Sequence, residues 1–232
     1  DLPPWLQITG NSDTNQEQIT LTITATEEVN GFEENDIQVT NGIAANFAEI
    51  TAGLEYAVDV TATSEGTVIV EIPAGSVTDG TGVENAAAEA RWNYDTTAPE
   101  ITIEIFVDTT GNAGVDGTLA FSEPVTSLTE DDLILTNASL ISFNEDWDGT
   151  TYYFYVTTME EGTAGLQINA GVVTDMAGNE NREASVSWLY DNTNPGVTLE
   201  VGSEETGKDT VEVTVNFSEP VLGLSTADFD IE

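Results

Sequence analysis

The pentapeptide FSEPV stands at residues 121–125 and again at 217–221, 96 residues later. Its flanks keep the same register. Trp92-Asn93-Tyr94-Asp95 returns as Trp188-Leu189-Tyr190-Asp191, and Val77-Thr78-Asp79 returns as Val173-Thr174-Asp175. The stretch ATEEVNGFEENDIQVTN (25–41) aligns without a gap on FSEPVTSLTEDDLILTN (121–137), which sets Glu27 on Glu123, Asp36 on Asp132 and Asn41 on Asn137. Pro4, Pro99 and Pro195 follow the same spacing to within one residue. A fixed period decides architecture before any local propensity does. This period is far longer than a solenoid repeat and has the size of an independent domain. The chain therefore divides into one unit over 1–95, a second over 96–191, and the opening part of a third over 192–232.

Within a unit the pattern is β. QITLTITAT (18–26) alternates Ile19, Leu21, Ile23 and Ala25 with threonines, and TVEVTVNF alternates Val211, Val213, Val215 and Phe217. Alternation at period two, bounded by Gly, Asn and Asp clusters, marks half-buried antiparallel strands. The second unit is predicted to hold seven strands, near 100–107, 116–122, 132–137, 140–144, 151–158, 164–169 and 184–190. The fold class is all-β, as tandem immunoglobulin-like antiparallel β-sandwich domains. Trp92 and Trp188, in phase with Ala90 and Val186 on the last strand, are expected in the cores, given the apolar area a Trp buries. Tyr56, Val58 and Val60 match Tyr152, Phe154 and Val156, and both sets should face inward.

Composition narrows the function. Against 43 acidic residues there are three basic ones, Arg91, Arg182 and Lys208, for a net charge of −40. Phosphate recognition needs clustered Lys and Arg, so nucleic acid is excluded as a partner. An anionic membrane surface is excluded for the same reason, and no apolar run approaches the ~20 residues of a membrane span. The chain has no Cys and no His, which removes disulfides, thiolate chemistry and the commonest general base and transition-metal ligand. Hard oxygen ligands remain, and these suit Ca2+ and Mg2+. Acid-rich surfaces also serve solubility, which accounts for acids outside the repeated positions.

The recurring acids need a separate account. In a sandwich the chain enters at one pole and leaves at the other, so the loops after the second, fourth and sixth strands share the leading pole. There SEP (122–124), TEDD (129–132), TDMAGNEN (174–181) and the linker YDTTAP (94–99) should meet, gathering Asp95, Glu123, Asp131, Asp132, Asp175 and Asn179. Carboxylates packed together repel by about 1–4 kcal/mol per pair near ~4 Å unless a cation joins them. Such a set is a plausible Ca2+ cage, which takes six to eight oxygens, whereas Mg2+ prefers water and strict octahedral geometry. Glu27, Asp36 and Asp79 are the counterparts in the first unit, and Asp191, Glu219 and Asp228 at the start of the third. Each residue also has an ordinary role open to it. Ser-Glu-Pro ends a strand, Asp175 and Asn179 cap a turn, and Asp132 bonds its own loop backbone.

The motifs FSEPVTSLTEDDL, AGVVTDMAGNEN and WLYDNTNP resemble the repeats of bacterial immunoglobulin-like domains in large secreted surface adhesins. The resemblance covers both full units and the partial third. It implies an extracellular, cell-surface stalk or filament segment, and in several such families Ca2+ stiffens the domain junctions. The linker is also distantly similar to the Asp/Asn/Pro linker of cadherins. The first unit departs from the pattern, with Glu28 where the others have Pro124 and Pro220, and with Gly82 and Val83 in the Asp79 loop.

The expected partners are neighbouring repeats of the chain, other copies of it in a filament, and glycans or a host or abiotic surface. The second unit carries extra aromatic residues, Trp147, Tyr153 and Tyr155, which stack on sugars or protein partners or pair across strands. An alternative function is accordingly a carbohydrate-binding accessory module of a secreted enzyme. Catalysis itself is not expected. Paired carboxylates run glycoside hydrolysis in principle, but acids recurring at every junction suit architecture, and Arg91 and Arg182 do not occupy matching positions. Finally, about 40 residues without disulfides do not normally close a core. Residues 192–232 are therefore expected to be ordered through a neighbouring chain, a swapped or donated strand, or the rest of a longer filament, with one ligand fewer around Asp191, Glu219 and Asp228.

Overall fold

The computed structural model describes residues 2–106, 111–126, 128–202 and 210–230, so Lys208 lies outside the described residues. The first unit contains β1 (Leu6–Thr9), β2 (Gln18–Ala25), β3 (Val29–Asn30), β4 (Gln38–Thr40), β5 (Gly42–Thr51), β6 (Glu55–Ala62), β7 (Gly66–Ile72), β8 (Thr78–Asp79) and β9 (Ala88–Tyr94). They form a sheet in the order β1-β2-β6-β5, a facing sheet in the order β4-β7-β9, and a small β3-β8 pair. All of these pairings are antiparallel. Period-two burial explains the pairing. On β2, Leu21 and Ile23 are buried between outward threonines, and Tyr56, Val58 and Val60 of β6 lie inward beside them. Val68, Val70 and Ile72 of β7 and Trp92 of β9 complete the core from the other sheet.

The second unit repeats this plan with β10 (Ile101–Phe106), β11 (Gly114–Phe121), β12 (Leu133–Thr136), β13 (Ala138–Glu145), β14 (Thr151–Thr158), β15 (Gly162–Ile168) and β16 (Ala184–Tyr190). These seven strands lie within a few residues of the seven read from the sequence. Their sheets run β10-β11-β14-β13 and β12-β15-β16. Tyr152, Phe154, Val156, Leu166, Ile168 and Trp188 fill its core, and the Trp188 Nε1–H donates to Thr158 Oγ1 at 2.9 Å. A buried indole that finds an acceptor keeps its apolar payload without an unsatisfied donor.

Two asparagines make the tight corners. Asn41 and Asn137 sit at φ 58 and φ 50, the left-handed region that Asn tolerates better than most residues. Their amides tie one loop of the trailing pole to the next: Asn41 Nδ2 donates to Ser64 O, and Asn137 Nδ2 to Glu160 O, each at 2.8 Å.

Beyond Tyr190 a two-stranded hairpin follows, β17 (Val197–Val201) on β18 (Val213–Phe217). Val197, Leu199, Val201, Val211 and Val213 are exposed on it. Among the described residues no helix is long and apolar enough to cross a membrane.

Candidate metal centre

The leading pole of the second unit is assembled from three chain segments. Asp95 follows β9 into the linker, where its N–H donates to Thr14 O at 3.1 Å and its Oδ1 accepts from Thr97 N at 2.9 Å. Glu123 lies just past β11, on a loop fixed to the linker because Ser122 N donates to Glu100 O and Glu100 N to Ser122 Oγ, both at 3.0 Å. Asp175 starts the loop before β16. That loop is locked to the Glu123 loop by Thr126 N donating to Thr174 O at 2.7 Å.

Here Asp95, Glu123 and Asp175 converge: one carboxylate oxygen from each lies within 4.8 Å of the other two. Asp175 is 3 % exposed, and the other two are half-buried. Neither described arginine neutralises the set, since Arg91 pairs with Glu89 and Arg182 approaches Glu100 at 3.9 Å. The electrostatic consequence falls on Glu123. Burial first, then the charges of Asp175 and Asp95, raise its carboxyl above the ordinary glutamate pKa. The donors are all carboxylate oxygens, the chemistry of a hard divalent cation.

Asn179 belongs to the same corner in another role. Its N–H and Nδ2 each donate at 2.8 Å to the Asp175 carboxylate, and Nδ2 also donates to Asp95 O at 2.8 Å. It holds the Asp175 carboxylate and ties it to the Asp95 backbone. Asp131 and Asp132 are not drawn into the cluster. Asp131 is exposed on a 3-10 turn, and Asp132 Oδ2 accepts from Thr129 N and Oγ1 at 2.8 and 2.7 Å. Asp36 caps its own turn in the same way through Glu33 N, and Asp228 through Ser225 N and Oγ. Those bonds hold the Asp228 carboxyl below the usual aspartate range.

In the first unit, Asp79 accepts from Val83 N at 2.9 Å and, with a smaller effect, from Thr81 N at 2.7 Å, which lowers its pKa. Val83 stands where Asn179 stands in the second unit, so the amide that reaches the linker is missing. Glu27 lines a hollow with Leu2, Pro3 and Trp5. Asp191 and Glu219 line one open hollow with Pro195 and Pro220, and Asp191 Oδ1 accepts from Thr193 N as Asp95 does from Thr97. At the same pole but outside the acid cluster, Trp147 is fully exposed on the β13–β14 turn; on β14, Tyr153 is exposed and Tyr155 is half-buried.

Three features escaped the sequence reading. Glu65 and Glu161, each just before the sixth main strand, grip the linkers. Glu65 accepts from Thr96 N at 2.9 Å and from Thr96 Oγ1, while Glu161 accepts from Asn192 N at 3.1 Å and Thr193 Oγ1 at 2.7 Å. Asn85 and Asn181 are buried amides that knit the loop before the last strand. Both pairs keep the 96-residue offset, which was the available signal. The third, Asn15, has no counterpart and left none.

Solved structures match the chain at low sequence identity. The adhesin FdeC of Escherichia coli is 15% identical with a TM-score of 0.44, covering 92% of this chain and 72% of its own. InvD of Yersinia pseudotuberculosis is 16% identical with a TM-score of 0.39, at 86% and 63% coverage. Invasin, a bacterial integrin-binding protein, is 13% identical with a TM-score of 0.42, at 93% and 47% coverage. The chain thus spans less than two thirds of the length of the latter two. No curated protein sequence matches it. The family described as Bacterial Ig-like domain matches twice, over residues 3–94 and 95–190. Those spans coincide with the two sandwiches, and the chain belongs to the bacterial Ig-like domain family as two tandem copies.

Proposed function

We propose that this chain is a non-catalytic stalk segment of an extracellular bacterial adhesin, in which Ca2+ stiffens the junction between the first and second units. The observation that carries the reading is the convergence of Asp95, Glu123 and Asp175 on one point. The three come from a linker and two loops of the following unit, so a shared cation would lock the linker to that unit. Glu65 already fixes the other side of the same linker. Three carboxylates supply up to six oxygens if bidentate, which suits Ca2+ better than Mg2+.

Calorimetry and small-angle scattering of the whole chain test this. Ca2+ at about 100 times its dissociation constant is expected to add roughly 2.7 kcal/mol to the second unit and raise its Tm. Scattering should change from a variable or bent shape in chelator to an extended rod. NaCl at matched ionic strength screens exposed charges within about 10 Å but supplies no ligand-specific energy. Equal stabilisation by NaCl and Ca2+, or identical scattering in both conditions, would count against the site.

A second reading, glycan binding by the second unit, is favoured by one observation: Trp147 presents its whole ring to solvent, and Tyr153 is exposed on the strand that follows its turn. Exposed aromatic faces stack on sugar rings. Glycan-array binding by the native chain that disappears in Trp147→Ala is the expected result. Binding that survives this substitution would remove the reading.

A further inference from the structure

We infer that the first junction carries a clasp independent of any cation, in which the 10–17 loop of the first unit grips the 175–179 loop of the second through Asn15. The inference concerns the same junction as the proposed Ca2+ site but does not require that site to bind metal.

The loop between β1 and β2 is first fastened to its own unit. Asn11 Nδ2 donates to Arg91 O at 3.0 Å, and Asn93 N donates to Asp13 Oδ1 at 2.7 Å. Thr14 N donates to Asn93 O at 3.0 Å, Asp95 N donates to Thr14 O at 3.1 Å, and Thr14 bridges Tyr94 in parallel. Thr14 therefore runs alongside the end of β9 and into the linker, and the next residue faces the second unit.

Asn15 makes two bonds there. Its backbone N–H donates to Ala177 O at 2.9 Å, and its Nδ2 donates to Gly178 O at 3.0 Å. Gln16 holds the side chain in place by donating from Nε2 to Asn15 Oδ1 at 2.8 Å. From the other side Asn179 Nδ2 donates to Asp95 O at 2.8 Å, and Asp95 is itself bonded to Thr14. The result is a closed ring: Thr14 and Asn15, then Ala177 to Asn179, then Asp95 and back. A ring of this kind resists rotation of one unit about the linker, because turning either unit breaks bonds on both sides. Every donor in it is a neutral amide, so no protonation step or cation is needed.

Among the described residues the clasp is particular to this junction. Asn15 stands three residues before β2, and the residue three before β11 is Gly111. Gly111 has no side chain to donate and sits at φ +69, and a Cβ there would stand 3.1 Å from Asp191 O and 3.2 Å from Asn192 Oδ1. The partner that the Asn15 surface fits is therefore a turn offering two adjacent backbone carbonyls, as Ala177-Gly178 does. Among the described residues, the corresponding position of the second unit, Gly111, offers no such side chain onward.

The cysteine-free chain allows the test by paired spin labels on Thr67→Cys and Thr163→Cys, both exposed and outside the ring. In chelator, the native background is expected to give an inter-label distance distribution narrower than that of either Asn15 variant, and Ca2+ is expected to narrow it further. Asn15→Gly should broaden it roughly two-fold, because inter-domain motion is the default when an interface is small. Asn15→Asp, which keeps the size but sets an acceptor against Gly178 O, should broaden it similarly. A narrow native distribution in chelator that does not respond to Ca2+ supports the clasp and sinks the cation reading. A distribution whose width in chelator is the same with Asn, Gly or Asp at residue 15 overturns the clasp, whatever Ca2+ does.

Discussion

Asn181→Ala is expected to destabilise the second unit by about 4 kcal/mol while leaving the first at its native melting temperature. Asn181 is 2 % exposed. Its Oδ1 accepts from Val172 N and Val173 N at 2.9 and 3.0 Å, and its Nδ2 donates to Asn169 O and Arg182 O at 2.9 and 2.8 Å. Alanine leaves the buried Val173 N–H, the half-buried Val172 N–H and two partly shielded C=O groups without these partners. Each such group costs about 1–3 kcal/mol, and water entering the vacated space recovers part of that sum. A loss of this size lowers the Tm of a domain of ~95 residues by roughly 15–30 °C. Calorimetry of the full chain should then resolve two transitions where the first unit, with its own Asn85 network, keeps the upper one. A variant whose second unit melts within a few degrees of native would show that Asn181 is not the knot of its loop.

The sandwich was legible because its signals are local and repeated. Alternation on β2 and β6 tells which residues face inward, and the period of the repeat confirms each assignment twice. The acid cluster was legible in part, for a physical reason. TEDD brings Asp132 to the right pole, but a carboxylate three residues after a Thr also reaches back to that Thr's own N–H. This local bond needs no loop closure, so it forms in preference to a distant cage, and Asp36 and Asp228 repeat it. Asp175 escapes that fate because Asn179 holds it while leaving it turned toward Asp95.

Glu65 and Glu161 were hidden by composition. In a chain with 43 acids, two more glutamates carry no motif, and their contacts depend on the loop before β7 or β15 meeting a linker some thirty residues away in sequence. Asn15 was invisible for the opposite reason: it occurs once, and its partner loop is 163 residues distant. A repeat signal finds what every unit needs and passes over what one junction needs alone.

Glu123→Gln should stabilise the second unit in chelator and remove most of its response to Ca2+, so that the order of stabilities reverses between the two conditions. The sign follows from the pKa. Burial and the like charges of Asp175 and Asp95 raise the Glu123 carboxyl above its unfolded value. The native state therefore holds that proton more tightly than the unfolded chain. The stability this contributes is fully present below the ordinary glutamate pKa and is lost as pH rises through the raised value. At neutral pH without a cation Glu123 is thus a liability, by about 1 kcal/mol on the scale of one like-charge pair near ~4 Å in water. Glutamine keeps the size and removes the charge, which should raise the Tm in chelator by roughly 4–8 °C. That advantage should vanish at a pH low enough to protonate Glu123 in the native chain. With Ca2+ the same repulsion is what the ion neutralises, so the native unit gains by mass action and the variant gains little. Calorimetry at acid and neutral pH, each with chelator and with Ca2+, reads all four states. A variant less stable than native at neutral pH in chelator would mean that Glu123 serves the apo fold as a hydrogen-bond acceptor, and the cation reading would lose its electrostatic basis.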